Sequence, residues 1–140
     1  MADAPIPSVV AMLVCDQIIT EQATNKKSLI GVFDTFGSMT FPVLFQRLAV
    51  YIKLADAVGD YFFKLRIVKL KDESLIVEMG IQATVKDESQ YTELALPINN
   101  IPIPEPGKYE FQLYAGDVYL DRITMQALLI QGGKQWPQQN

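Results

Sequence analysis

The sequence predicts an all-β protein, a two-layer antiparallel sandwich of about eight strands. Apolar and polar residues alternate over several segments of the 140-residue chain, and these segments recur at regular spacing. No long segment keeps an apolar face at helical spacing. A chain of this length fits one domain with a single core. We therefore expect an N-terminal arm at 1–7, a sandwich domain at 8–130 and a flexible C-terminal tail at 131–140.

The first half of the chain supplies the first five predicted strands. The pattern predicts one strand for SVVAMLVCDQIIT and one for KSLIGVFDTF, joined by the polar loop EQATNKK. Alternating segments follow around Leu48, from Tyr61 to Ile67 and from Leu75 to Val85. These patterns, with that of a later strand, place the following side chains in the core: Phe63, Leu65, Leu75, Val77, Met79, Ile81 and Phe111.

The second half supplies the remaining strands. Leu94, Leu96 and Ile98 alternate before PINNIPIPEPG, whose prolines cannot donate to a ladder and predict a connection where the chain changes sheet or direction. GKYEFQLYAGDVYLDRI then reads as a hairpin with a turn at AGD. Tyr109 soon after the Pro-Gly corner is similar to the tyrosine corner of immunoglobulin-like sandwiches, so we expect that general architecture.

Composition argues against several classes of partner. The formal net charge of −4 disfavours nucleic acid and anionic membranes, because both require clustered Lys and Arg. No apolar segment reaches the length of a transmembrane helix, and no basic leader precedes the first apolar run. The single Cys15 cannot form an internal disulfide and is interpreted as a small buried hydrophobe. We expect a cytoplasmic protein.

Residues that carry common catalytic chemistry are sparse. The chain has no histidine, so it offers no Ser-His-Asp or Cys-His constellation and no zinc site with the usual ligands. Its 8 glycines form no phosphate-binding loop. We expect no cofactor, no metal and no enzymatic activity, although catalysis by Lys, Asp, Glu, Tyr or Ser stays open as an alternative.

Two acidic patterns are candidates for a metal-binding or catalytic site. KDES occurs at 71–74 and again at 86–89. A calcium site would need both segments, but if residues 61–70, 75–85 and 90–98 form a meander, the two lie at opposite ends of its middle strand, about 35 Å apart. We interpret both as turns in which Asp and Ser bond their own backbone.

Asp16 and Asp34 form the second acidic pattern, since each follows an apolar stretch. Two close carboxylates can split their pKa values and act as acid and base. A loop centred near Ala23 and Thr24 places them diagonally rather than opposite each other. We interpret them as aspartates at strand ends that contact solvent or cap a turn.

Candidate interface residues lie in the tail and on a late strand. QGGKQWPQQN holds the only tryptophan, Trp136, whose ring is costly to leave in water. We expect Trp136 to pack into a groove of its own domain or of a neighbouring subunit, with Pro137 stiffening the approach; a freely moving tail is the alternative. Tyr114 is a further interface candidate.

The order of short motifs resembles a widespread, uncharacterised family of small bacterial β-sandwich proteins. The matching features are the run ending in VCD, then SLIGVFDTF, FPVLF and the closing hairpin, from about Ser8 to Ile130. The resemblance implies a compact bacterial sandwich in the cytoplasm. It implies no substrate, cofactor or catalytic residue.

Three functions stay open on this basis. We expect a structural or protein-interaction module that binds a protein partner or copies of itself. A sandwich that binds a small apolar or sugar-like ligand is the alternative, and a histidine-independent enzyme is the third.

Overall fold

The computed structural model describes residues 4–87 and 90–131, and within them the chain forms nine strands and no helix. The all-β prediction is confirmed. No helix in the described part of the chain could therefore cross a membrane. The strands are β1 (Ser8–Thr20), β2 (Lys27–Val32), β3 (Thr35–Ser38), β4 (Val43–Ala55), β5 (Gly59–Lys69), β6 (Ser74–Val85), β7 (Thr92–Ile103), β8 (Gly107–Ala115) and β9 (Val118–Leu129).

The strands form two sheets packed face to face. One sheet has four strands in the order β2-β1-β4-β7, and the other has five in the order β3-β9-β8-β5-β6. The pairings are antiparallel except that of β3 with β9, which is parallel. The predicted two-layer sandwich is therefore present, with one parallel edge.

One strand more than expected arises because KSLIGVFDTF is two strands in different sheets. The amide of Phe33 still donates to the Val14 carbonyl of the four-stranded sheet, at 3.0 Å. The carbonyl of the following residue, Asp34, accepts from the Gln126 amide of the five-stranded sheet, at 2.8 Å. The chain thus crosses from one layer to the other between these two residues.

The core lies between the sheets, and the predicted core list is partly wrong. Phe63, Leu65 and Phe111 are at most 1% exposed, as predicted. The predicted residues of β6 are not fully buried: Val77, Met79 and Ile81 are only partly buried against the core, and Leu75 is 47% exposed. β6 is an edge strand, which leaves its inward side chains half covered.

Leu75 is exposed because of a β-bulge. Ile67 pairs with Val77 whereas Val68 pairs with Leu75, so Ile76 is an extra residue in β6. An extra residue reverses the alternation of faces. Leu75 consequently lies on the outer face, opposite to the prediction.

The predicted meander is also wrong. β7 pairs with β4 in the other sheet rather than with β6, and it continues through the proline-rich segment to Ile103. Pro97 and Pro102 are tolerated because β7 is an edge strand, where an amide on the free side has no partner to lose. The change of sheet that we expected occurs after Ile103, at the Pro-Gly corner before β8.

Tyr109 closes that corner as expected. Its hydroxyl donates to the Glu105 carbonyl at 2.6 Å and accepts from the Glu105 amide at 3.3 Å, while the side chain is fully buried. Tyr61 anchors the N-terminal arm in a similar way, since its hydroxyl donates to the Pro5 carbonyl at 2.7 Å. Both tyrosines tie a connecting segment to the core.

Candidate functional site

A broad surface depression lies where β4 and β7 bend together. Leu48 on β4 and Ile98 on β7 point into the core, but so do Phe45 and Ile101, three residues away on each strand. Alternation alone would put residues three apart on opposite faces. The register between the strands does not slip, so both reverse faces at the same level. Asn100 absorbs part of this change with a φ of 56°, a conformation that asparagine tolerates.

This depression, the bend cleft, has a volume of about 910 Å³ and a mixed lining. Its polar residues are Asp16, Ser38, Gln46, Arg47, Asn99 and Asn100. Its aromatic wall is formed by Phe36 and Phe45, whose rings meet edge to face with centroids 4.7 Å apart. A carboxylate, a guanidinium and amides beside aromatic rings can bind a polar molecule that also has an apolar face.

Sequence reasoning identified Asp16 but missed the rest of this lining. Arg47 and the two asparagines lie where alternation is interrupted, because Gln46-Arg47 and Asn99-Asn100 each place two polar residues side by side. The available signal was Asn-Asn inside a proline-rich run, because asparagine is one of the few residues that adopt positive φ readily.

Asp16 and Asp34 are placed in different surroundings. Cys15 pairs with Val32 and Gln17 with Ile30, so Asp16 lies opposite Gly31 in the bend cleft. A side chain at position 31 would collide with the Asp16 carboxylate. Asp34 lies three residues further, about 10 Å along an extended chain, at the crossover between the sheets. Its Oδ1 accepts from the Thr35 hydroxyl at 2.9 Å, and Asp34 lies directly before β3, at a strand end as predicted. Asp16 lies within β1, so the prediction of a strand-end position is wrong for this residue.

The first KDES segment forms a turn between β5 and β6, as predicted. Asp72 Oδ1 accepts from the Ser74 amide at 3.0 Å and from the Ser74 hydroxyl at 2.7 Å. These bonds hold the pKa of Asp72 below its usual value. The second KDES segment lies partly outside the described residues. Residues 4–87 and 90–131 contain no group of three or more His, Cys, Asp or Glu side chains arranged to hold a metal ion.

Cys15 is buried, as the sequence analysis predicted. It is 0% exposed on β1, and its Sγ donates to the Gln17 carbonyl at 3.5 Å. Burial raises the pKa of the thiol, which lowers the fraction of reactive thiolate at neutral pH.

The outer face of the four-stranded sheet carries an exposed apolar surface, which we call the outer strip. It consists of Leu13, Ile19, Ile30 and Val32, which are 37%, 43%, 46% and 54% exposed. Tyr51 lies on the same face, where it pairs with Leu13 in the register. Its hydroxyl donates to Glu93, and burial followed by this bond raises the pKa of Tyr51 to about 12.

Tyr114, the described interface candidate, lies on the outer face of the five-stranded sheet. Its ring meets that of Tyr119 edge to face at 5.7 Å, and Lys64 Nζ lies 5.9 Å from its centroid. Tyr114 is thus half-buried among its own neighbours. Trp136 and Pro137 lie outside the described residues.

The geometry defines a class, an immunoglobulin-like β-sandwich closed by a tyrosine corner. Residues 10–128 match a family described as a family of unknown function (DUF6941), and the chain belongs to this family. Comparison with curated proteins gives no match.

Several solved structures are similar to the chain, among them the following two. An immunoglobulin-like protein from Pseudomonas aeruginosa is 10% identical, with a TM-score of 0.46, over 88% of this chain and 97% of that one. A β-glucosidase from Listeria innocua is 7% identical, with a TM-score of 0.44, over 70% of this chain and 15% of that one.

Proposed function

We propose that this chain is a non-catalytic structural or protein-interaction module of a bacterial protein, which binds a protein partner or copies of itself in the cytoplasm. The outer strip is the observation that carries the proposal. Its four large apolar side chains are each more than a third exposed on one face of the four-stranded sheet. Contiguous exposed apolar surface marks sites of protein contact in soluble proteins.

The rigidity of this surface supports the same proposal. The residues of the outer strip lie on hydrogen-bonded strands. Leu13 on β1 pairs with Tyr51 of β4, and Ile30 and Val32 on the edge strand β2 pair with residues of β1. A hydrogen-bonded sheet presents its side chains without the ordering cost that a loop would carry on binding. A cytoplasmic location is supported by Cys15, a free and buried thiol that suits a reducing compartment.

Site-specific photo-crosslinking in a bacterial host tests the proposal. A benzophenone amino acid replaces Ile30 in the outer strip, or Gln22 in the exposed β1–β2 turn as the matched control. We expect a discrete protein adduct from position 30, none from position 22, and loss of the adduct when Val32→Lys is added. Identical results at both positions would contradict the proposal.

The bend cleft supports a second candidate function, the binding of a small sugar-like ligand. Arg47, Asp16 and Asn99 offer the charged and amide groups that bind neighbouring hydroxyls, and the Phe36 and Phe45 rings offer an apolar wall. Saturation-transfer NMR with a panel of oligosaccharides tests it. We expect signal transfer that Arg47→Ala abolishes and that Arg122→Ala, on the opposite sheet, leaves unchanged; transfer that is absent, or equal in both variants, excludes this function.

A further inference from the structure

Within the described residues, the edge strand β6 has little of the usual protection against pairing with another chain. It is 12 residues long, contains no proline and has Glu78 as its only charged residue. The neighbouring edge strand β7 has the same length but carries Pro97 and Pro102. Natural edge strands are ordinarily short, charged, bulged or interrupted by proline. Beyond its bulge at Ile76, β6 offers a regular edge from Val77 to Val85 on which Glu78 is the only charge.

The inward side of β6 also lacks a complete cover. Its side chains there are all apolar and all only partly buried, whereas Phe63 and Leu65 on the adjacent β5 are at most 1% exposed. A five-stranded sheet packed on a four-stranded one leaves its outermost strand overhanging. The half-covered residues are Val77, Met79, Ile81, Ala83 and Val85.

We propose that β6 is the contact between two copies of this chain. The two β6 strands pair antiparallel about a twofold axis at Gly80 and join two five-stranded sheets into one continuous sheet. The inference rests on the proposed interaction function and assigns it a second surface, separate from the outer strip. A twofold contact of this kind is self-complementary, because each residue meets its symmetry partner's counterpart.

The sequence of β6 is matched to itself in this register. On the inner face, Met79 lies opposite Ile81 of the second copy, and Val77 lies opposite Ala83. On the outer face, the single carboxylate, Glu78, lies opposite the Gln82 amide. An axis at Glu78 would instead bring two carboxylates together, and like charges directly opposite each other destabilise a strand pair.

Phe62 explains why glycine occupies the axis. Its ring lies over Gly80, so closely that a side chain at position 80 would collide with it, and it is 49% exposed. An aromatic ring that covers a glycine on an edge strand stabilises the register of that strand. In the dimer, two such rings flank a pair of glycines, and no other side chain intrudes between them.

Disulfide trapping tests the register. Facing outer positions of an antiparallel pair are close enough for a disulfide, whereas positions 78 and 82 of one strand are about 13 Å apart. The double variant Glu78→Cys/Gln82→Cys should form a covalent dimer under mild oxidation. The matched control Glu78→Cys/Thr84→Cys should stay largely monomeric, as should each single variant. Cys15 is fully buried and does not interfere.

Charge at position 82 provides a test without disulfides. In the proposed register Gln82→Lys creates two pairs of opposite charge per dimer, and Gln82→Glu creates two pairs of like charge. Two solvent-exposed charge pairs change the dissociation constant of the dimer by roughly three- to thirtyfold. Sedimentation equilibrium should therefore show tighter association for Gln82→Lys and weaker association for Gln82→Glu.

The outcomes separate this inference from the function on which it rests. A chain that stays monomeric at all concentrations, traps equally in both double variants, or associates equally with either charge at position 82 overturns pairing through β6. A photo-crosslinked adduct from position 30 would in that case still support the interaction function through the outer strip. Trapping confined to positions 78 and 82, with opposite effects of the two charges, confirms the pairing.

Discussion

β5 and β6 are hydrogen-bonded neighbours with the same alternating pattern, yet they differ in burial. Phe63 and Leu65 on β5 are at most 1% exposed, whereas Met79 and Ile81, which pair with them, are only partly buried. β5 has β8 on its other side, and β6 has no neighbour there within the described residues. Alternation therefore indicates which face a side chain occupies, and position within the sheet decides how completely that face is covered.

The largest effect should come from the covered centre of the five-stranded sheet. Phe111 lies on β8 and is 0% exposed. Phe111→Ala should reduce the free energy of unfolding by roughly 3–5 kcal/mol, because a cavity adds to the lost transfer energy. Urea unfolding followed by circular dichroism measures it. A loss below about 1 kcal/mol would show that Phe111 faces water.

Tyr51 lies on the outer face of the central strand β4. Its ionisation tests whether that face is covered as well as the inner one. Its pKa of about 12 lies above the usual value of 10.0, so its contribution to stability is complete below pH 10 and is lost as the pH rises through 12. The stability of the native chain should fall, relative to that of Tyr51→Phe, by about 2 kcal/mol over this range. Urea unfolding of both proteins at pH 9 and pH 11.5 checks this. Parallel pH profiles would mean that the Tyr51 hydroxyl is solvated.

Met79 lies on the partly covered edge strand β6. In dilute solution Met79→Ala should cost about 1 kcal/mol, clearly less than the several kcal/mol expected for Leu65→Ala on the paired strand. Parallel urea titrations of the two variants make the comparison. Equal losses would contradict the difference in cover between β5 and β6.

Leu75 should show the smallest effect, since the bulge turns it to the outer face. Leu75→Ser should change the free energy of unfolding by no more than about 0.5 kcal/mol. A loss comparable with that of Phe111→Ala would mean that Leu75 points into the core, as simple alternation had predicted.

Sequence reasoning recovered what depends on local patterns. The alternating strands and the Tyr109 corner could be predicted because period-two patterning and a Pro-Gly turn are local signals. The extra residue at Ile76 and the passage of β7 through its prolines could not, because both depend on which strand lies alongside. The bend cleft could not be predicted for the same reason, because its lining comes from distant parts of the chain.

Amide hydrogen exchange at two protein concentrations measures whether the free edge of β6 is open to a second chain. In dilute solution, the β6 amides that point away from β5 should exchange rapidly. At a concentration that favours pairing they should become protected, while the amides of β7, interrupted by Pro97 and Pro102, should not change. Outward amides of β6 that exchange slowly in dilute solution, or equally at both concentrations, would contradict the account.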